Sequence, residues 1–178
     1  MAVVCHGHQR LDQHSPPRLA LLPMSSAASD HELFMKQAIR LATENPDAPF
    51  AALLVNRKSG DIVATGINQS STNPTLHGEI AAIHDFAQRS GEGWNELTLY
   101  STAEPCCMCQ GAILWAGIRE VFFGASISDL IRIGWKQIDI PAQEVVHRSW
   151  KPELTIHGGV LAEDCKQLFR DAISDRRR

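Results

Sequence analysis

The sequence lacks both a long apolar segment and a large excess of one charge. No stretch of its 178 residues approaches the roughly 18 apolar residues that span a bilayer, and the run LALL at 19–22 is too short for the apolar part of a signal peptide. The formal net charge is -3, so no field spread over the whole protein would collect nucleic acid, and only a local basic patch could do so. These absences predict a soluble protein without a membrane segment.

Cysteine is present in a number and arrangement that argue against a disulfide framework. The chain has five cysteines, an odd number, and three of them fall in the segment CCMC at 106–109. Such clustering is more typical of metal binding in a reducing compartment than of secreted disulfide proteins. Together with the lack of a targeting segment, it predicts a cytoplasmic protein.

Composition and pattern divide the chain unevenly. With 44% hydrophobic and 21% charged residues, the chain can bury one sizeable core, which predicts one folded domain. The N-terminal part contains HGHQRLDQHSPP and the Ser-rich MSSAA and shows no sustained hydrophobic period. We therefore predict a disordered N-terminal extension over 1–28 and a folded domain over 29–178.

Helical and strand periods alternate along the predicted domain. Ser29 and Glu32 have the spacing of a capping box and are expected to begin the first helix. The segment NRKSG joins two strands, and its Gly60 permits the turn of a hairpin. The order of elements predicts a three-layer α/β domain with a mixed sheet. The predicted helices cover 29–44, 77–90, 106–116, 128–133 and 161–174, and the predicted strands cover 50–55, 61–68, 96–102, 120–126 and 154–159.

Two of the predicted helices begin with residues that can bind a metal. His77 and Glu79 open one of them, in TLHGEIAAI, where the carboxylate alone would be an ordinary favourable charge in a first turn. Cys106 and Cys109 open the other after Pro105, and their spacing places both thiols on one face of the helix. Helix N-termini lower thiol pKa values and so favour the thiolates that zinc requires.

One imidazole and two thiolates make three zinc ligands, and a catalytic zinc keeps its fourth position for water. We therefore predict that His77, Cys106 and Cys109 bind one zinc ion. Because two thiolates formally cancel the charge of the metal, its water benefits from a nearby base. Glu79 stands beside His77 without being needed as a ligand, so we predict that it is the catalytic base.

The segment C-x-x-C alone would also fit a structural zinc knuckle or a redox site. A knuckle needs a fourth cysteine or histidine close by, and Cys107 points away from the face that Cys106 and Cys109 share. A redox site would leave His77 and Glu79 without a use. The full set of residues favours a catalytic zinc site over both.

The pattern H-x-E followed by P-C-x-x-C resembles the signature of the cytidine-deaminase-like superfamily of zinc deaminases. The resemblance covers 30–174 and implies a three-layer α-β-α sandwich around a mixed five-stranded sheet. It further implies one zinc ion per subunit, held by His77, Cys106 and Cys109 with water or hydroxide as fourth ligand, and Glu79 as proton shuttle. It also implies a homo-oligomer, most simply a homodimer, and a small nucleobase or nucleoside as substrate.

Different segments resemble different branches of this superfamily. TLHGE is similar to fungal-type cytosine deaminases, whereas AEPCCMCQGAI and GGVLAEDCKQLF are similar to bacterial tRNA adenosine deaminases. GAILWAGIREVFFGA and KQIDIPAQE resemble bacterial guanine deaminases, and the second of these lies outside the shared zinc core. We therefore predict deamination of guanine to xanthine first, of adenosine in tRNA second and of cytosine third. The alternative outside enzymes is a zinc-stabilised binding module.

The resemblance also implies four substrate-binding residues. Phe50 and Asn68 match positions that line the base pocket, although Phe50 could equally be a core residue and Asn68 a turn residue. Asp129 lies where guanine deaminases place an acidic group against the purine edge, and its alternative is a helix N-cap together with Ser128. Trp115 is predicted either as a wall of the pocket or as buried helix packing.

Overall fold

The computed structural model describes residues 27–89 and 91–176. The disorder predicted for the N-terminal extension therefore falls almost entirely outside the described residues. None of the helices in these two ranges has the length and apolar character that crossing a bilayer would take. The helices are α1 (Ala27–Ala42), α2 (Gly78–Arg89), α3 (Cys107–Ala116), α4 (Ile127–Ile133), α5 (Ala142–His147) and α6 (Ala162–Asp175), and the strands are β1 (Ala51–Asn56), β2 (Ile62–Ile67), β3 (Leu97–Ala103), β4 (Glu120–Ala125) and β5 (Thr155–Gly158).

The five strands form one mixed sheet in the order β2-β1-β3-β4-β5. β1 pairs antiparallel with both β2 and β3, whereas β4 pairs parallel with both β3 and β5. The predicted hairpin is confirmed, and Gly60 in its turn has a φ of +75°, a conformation that residues with a side chain rarely adopt. The prediction of a mixed five-stranded sheet is also confirmed.

Helices cover both faces of the sheet, which gives the predicted three layers. On one face Leu54, Leu99 and Val121 pack with buried residues of α2, α3 and α5. On the other face Leu53 and Tyr100 pack with buried residues of α1, α4 and α6. Because both faces are covered, β1 and β3 are buried along nearly their whole length.

Two local predictions differ from the structure. Helix α1 begins at Ala27, two residues before the predicted start, so the backbone of Ser29 lies inside the first turn and not before it. Helix α5 was not predicted at all, because six residues after Pro141 are too short to show a helical period.

The start of α2 lies directly against the hairpin. A Cβ atom on Gly66 of β2 would lie 2.1 Å from the carbonyl oxygen of Gly78 and 2.2 Å from the amide nitrogen of Ala82, far closer than atoms can approach. A Cβ atom on Gly78 would in turn lie 2.8 Å from the carbonyl oxygen of Phe50. These glycines let the backbone of α2 touch the strands, and so they set the height of His77 and Glu79 above the sheet.

Candidate active site

The starts of α2 and α3 bring three predicted metal ligands together. His77 immediately precedes α2, Cys106 is the N-cap of α3, and Cys109 lies in the first turn of α3. His77 Nδ1 is 3.7 Å from Cys106 Sγ and 3.6 Å from Cys109 Sγ. All three ligand atoms lie within 4.8 Å of one another, and over 27–89 and 91–176 no other three potential ligand side chains converge in this way.

These distances and donor types fit zinc. Ligands about 2.0–2.3 Å from a zinc ion at tetrahedral angles are about 3.6 Å apart, which agrees with the two measured N–S separations. One imidazole nitrogen and two thiols form a three-ligand set that leaves the fourth position open. The group His77, Cys106 and Cys109 therefore fits one zinc ion per subunit.

The two thiols differ in their affinity for protons. A hydrogen bond from the Cys109 thiol, with further help from His77, holds the pKa of Cys106 at about 4. The same hydrogen bond, together with burial, raises the pKa of Cys109, and the bond to Cys106 raises the pKa of His77. The two thiols thus compete for a proton, and that proton has to leave when a metal binds, because zinc takes thiolate ligands.

Glu79 is buried beside this group. Its side chain is only 5% exposed, and Ser101 Oγ of β3 donates a long hydrogen bond of 3.4 Å to Glu79 Oε1. Burial raises the pKa of the Glu79 carboxyl above its usual value. A buried carboxyl with a raised pKa keeps a proton more readily than an exposed one, which is the direction that suits a group meant to accept and donate protons.

One cavity of about 510 Å³, here called the zinc cavity, opens onto these residues. Its volume suits a group of the size of a small molecule. Phe50 and Asn68 both line it, and their contact with a substrate stays a prediction. The complete lining consists of Ala48, Phe50, Asn68, Ser70, Pro74, His77, Glu79, Glu104, Cys106, Met108, Trp135, Lys136, Gln137, Ile138 and Arg176.

Asn68 is fixed in the wall of the zinc cavity by its neighbours. Its side chain is 5% exposed, and its amide nitrogen donates to Ser70 Oγ at 2.9 Å. Its backbone carbonyl accepts a hydrogen bond of 2.7 Å from the side chain of Asn45. The amide group therefore has a defined place next to the metal ligands instead of moving freely in a turn.

Asp129 and Trp115 lie away from the zinc cavity. Asp129 forms a capping box with Ser126, whose backbone N–H it accepts at 3.2 Å, and it pairs with Arg132 at 2.9 Å. Asp129 therefore takes part in a helix cap, as its alternative interpretation predicted. The partner in the cap is Ser126 and not Ser128. Trp115 is 78% exposed, so it is not buried helix packing, and its ring lies 4.3 Å from that of Trp150 in a separate groove. The substrate roles of Asp129 and Trp115 stay predictions.

Trp135 is a wall residue of the zinc cavity that the sequence did not reveal. Its ring stands edge-to-face against Phe50, with centroids 5.0 Å apart and an interplanar angle of 89°. Its indole N–H donates to the carbonyl oxygen of Phe169 at 3.1 Å. The one available signal was its position directly after Gly134, which ends α4 with a φ of +110°.

Glu104 is a second residue without a predicted role, although it stands next to Pro105 in the metal-binding segment. Its carboxylate accepts the backbone N–H of Ile127 at 2.9 Å and that of Ala142 at 2.8 Å. These residues open α4 and α5, so one side chain joins both helix starts to the end of β3. Glu104 therefore fixes the segment between α4 and α5 over the zinc cavity.

Comparison with protein families places this geometry in a known group. Residues 28–125 match the cytidine and deoxycytidylate deaminase zinc-binding region. The match includes His77, Glu79, Cys106 and Cys109. This chain belongs to the cytidine and deoxycytidylate deaminase family. It is therefore a zinc-dependent deaminase, as the arrangement of ligands and buried carboxyl also indicates.

Relatives within the deaminase family fall into more than one branch. The chain is 38% identical over 141 residues to the guanine deaminase of Bacillus subtilis. These residues are 72% of this chain and 89% of the relative. It is 34% identical over 153 residues to a tRNA-specific adenosine deaminase of Haemophilus influenzae, covering 82% of this chain and 84% of the relative. The solved structure of NE0047 in complex with 2,6-diaminopurine superposes with a TM-score of 0.72 at 28% identity, covering 81% of this chain and 82% of the other.

Proposed function

We propose that this deaminase converts guanine and water to xanthine and ammonia. The observation that carries the proposal is the zinc cavity, in which the metal ligands, a buried carboxyl, an amide and two aromatic rings surround a space of about 510 Å³. A flat base needs an apolar wall and a few polar groups at its edge. The similarity to the guanine deaminase of Bacillus subtilis and to NE0047, which binds a purine, supports guanine as the base.

In this proposal the metal ligands and Glu79 divide the chemical work between metal binding and proton transfer. His77, Cys106 and Cys109 would hold the zinc ion, which would make a water acidic enough to add to the ring carbon carrying the exocyclic amine. Glu79 accepts a proton from that water and donates it to the adjacent ring nitrogen. Glu79 then takes the remaining proton from the added hydroxyl group and transfers it to the amine, so that the carbon–amine bond breaks, a carbonyl forms and ammonia leaves as a neutral molecule.

The remaining wall residues position the base. Phe50 and Trp135 present aromatic surface on which a planar ring can pack. Asn68 offers an amide, a group that can pair with the polar edge of a purine. Because this amide is held by Ser70, its orientation costs little entropy when a substrate binds.

A tRNA-specific adenosine deaminase is the second candidate. Two cations, Lys136 and Arg176, line the zinc cavity and could contact a phosphate of RNA. The relative from Haemophilus influenzae supports this alternative. Against it, the formal net charge of -3 offers no general attraction for RNA.

The substrate can be decided by measuring ammonia release from guanine, adenosine, cytosine and an anticodon stem-loop RNA with zinc-loaded protein. Guanine is expected to be deaminated fastest, with xanthine appearing in equal amount. Release from the RNA alone would replace guanine with the second candidate, and release from cytosine alone would favour the third branch. Release from none of the four would favour the zinc-stabilised binding module.

We further infer that the protein is a homodimer and acts in the cytoplasm. The family resemblance supports the homodimer, and the clustered free cysteines support a reducing compartment. Light scattering of the zinc-loaded protein measures the mass directly. A value near that of one 19.6 kDa chain would contradict the dimer.

A further inference from the structure

Arg176, at the end of α6, reaches two segments that line the zinc cavity. Its guanidinium carbon lies 4.4 Å from the centroid of the Trp135 ring, a cation–π contact. The same guanidinium donates a hydrogen bond to the carbonyl oxygen of Asp47. Arg176 itself lines the zinc cavity. One side chain therefore connects the segment after α4 with the segment before β1.

Both connected segments carry the aromatic wall. The loop containing Asp47 leads into Phe50, and it is tied to the cavity by the hydrogen bond from Asn45 to the Asn68 carbonyl. Trp135 meets Phe50 edge-to-face at 5.0 Å. The position of Trp135 relative to Phe50 thus depends on contacts made by residues from three parts of the chain.

The ring of Trp135 is restrained at its edge by Phe169 of α6 and over its face by Arg176. Its indole N–H donates to the Phe169 carbonyl, and Phe169, which is fully buried, packs against Phe50 at a centroid distance of 4.7 Å. The hydrogen bond to Phe169 holds the indole N–H in place. The guanidinium of Arg176 lies over the face of the ring and limits its rotation away from the cavity. Without Arg176, that face has one restraint fewer and the wall is less defined.

The sequence position of Arg176 explains why an arginine can act there. It is the C-cap of α6, where the helix dipole favours a cation. Its backbone N–H remains bonded to Ala172, so the side chain extends from a fixed point. An arginine can stack on a ring with its planar group and donate a hydrogen bond in the same plane, and a lysine cannot do both.

We propose that Arg176 is a positioning residue for the substrate, because it holds Trp135 against the segment bearing Phe50 as the aromatic wall of the zinc cavity. The proposal rests on the proposed function in one respect, namely that a flat base packs on this wall. It assigns to the end of α6 a part in substrate affinity and none in the chemical step.

Steady-state kinetics of Arg176→Gln test this assignment. The KM for guanine is expected to rise about fivefold, the size of one exposed cation–π contact, while kcat stays within about twofold. Arg176→Lys keeps the charge without the planar stack, so its KM should lie between that of the unaltered protein and that of Arg176→Gln. Arg170→Gln is the matched control, because Arg170 lies on the same helix and pairs with Glu163 away from the zinc cavity.

Two results would overturn the proposal. One is a lower kcat at unchanged KM, which would indicate a general loss of folded enzyme. The other is an equal rise in KM for Arg170→Gln, which would indicate an effect of charge alone.

A second measurement does not depend on which base is the substrate. In a variant that keeps Trp135 as its only tryptophan, with Trp94, Trp115 and Trp150 changed to Phe, acrylamide quenching of fluorescence reports the exposure of that ring. Adding Arg176→Gln should increase the quenching constant about twofold, whereas adding Arg170→Gln should leave it unchanged. Unchanged quenching by Arg176→Gln would refute the positioning role, even if guanine proves to be the substrate. Increased quenching in a protein that does not deaminate guanine would refute the proposed function alone.

Discussion

Gly66 of β2 and Gly78 at the start of α2 are in direct backbone contact. A Cβ atom on Gly66 would lie 2.1 Å from the carbonyl oxygen of Gly78. His77 and Glu79 flank Gly78 on either side, so the contact that brings the helix down to the strand also places a metal ligand and the proposed proton carrier. Packing of two glycines is thus a condition for the geometry of the site.

Gly66→Ala should destabilise the protein, because its new methyl group would overlap backbone atoms that cannot move separately. We expect the free energy of unfolding to fall by about 1–3 kcal/mol or more, measured by urea denaturation of the zinc-free protein. Gly111→Ala is the control, since a Cβ atom there meets nothing within 4 Å and alanine favours a helix. Equal stability of Gly66→Ala and the unaltered protein would show that α2 can shift without cost.

Glu79→Gln should abolish most turnover while leaving the zinc site intact. Glutamine has nearly the same shape but cannot accept a proton, so kcat should fall by about 10²- to 10⁴-fold. Ammonia release and zinc content of the same preparation provide the two measurements. Glu44→Gln, at an exposed position after α1, should change neither. Normal turnover by Glu79→Gln would exclude Glu79 as the proton carrier.

Neighbouring cysteines should differ sharply in their importance for zinc. Cys106→Ser should weaken zinc binding by more than about 100-fold, because it removes a thiolate ligand. Cys107→Ser should bind zinc as the unaltered protein does, because Cys107 faces the groove of Trp115 and not the ligand group. Elemental analysis after dialysis against a weak chelator measures both. Loss of zinc from Cys107→Ser alone would contradict the ligand assignment.

Asp129→Ala distinguishes a helix cap from a substrate contact. If Asp129 only caps α4, its loss should lower the free energy of unfolding by about 0.5–1 kcal/mol at neutral pH and change KM less than twofold. Its hydrogen bonds to Ser126 and the charge of Arg132 lower its pKa below the usual 3.8. The stability that it contributes is therefore present above pH 3.8 and is lost as the pH falls through the lower folded value.

Urea denaturation at pH 7 and at pH 3 measures the two parts of this prediction. The difference in stability between Asp129→Ala and the unaltered protein should shrink at the lower pH. A tenfold rise in KM at unchanged stability would restore the substrate role that the resemblance implies for Asp129.

The zinc site could be predicted from the sequence because its ligands lie at the starts of two helices. A helix start fixes the direction of nearby side chains, so short motifs at 77–79 and 106–109 carried most of the geometry. Asn68 and Phe50 were found through the family resemblance, as residues at the ends of two neighbouring strands. In each case the residue is placed by a regular element close to it in sequence.

The choice between Trp115 and Trp135 could not be made in the same way. Trp115 lies in a well-defined helix, yet it is on the outer surface of α3 and 78% exposed. Trp135 lies in an irregular segment, and its position depends on Phe169 and Arg176, which follow it by a long stretch of chain. Local periodicity contains no information about such distant contacts, and the same reason explains why Glu104, which bonds the starts of α4 and α5, had no predicted role.

The two hydrogen bonds that Glu104 accepts have a consequence for how specificity can evolve in this protein. They fasten the starts of α4 and α5 to the end of β3, while the residues from Gly134 to Ile140 lie between these anchors and contribute Trp135 through Ile138 to the zinc cavity. Mutations in this segment can therefore reshape the surface that meets a base while its two anchors, and the cysteines next to Glu104, keep their places. Selection for a new base can act on a short replaceable segment and leave the inherited metal chemistry intact.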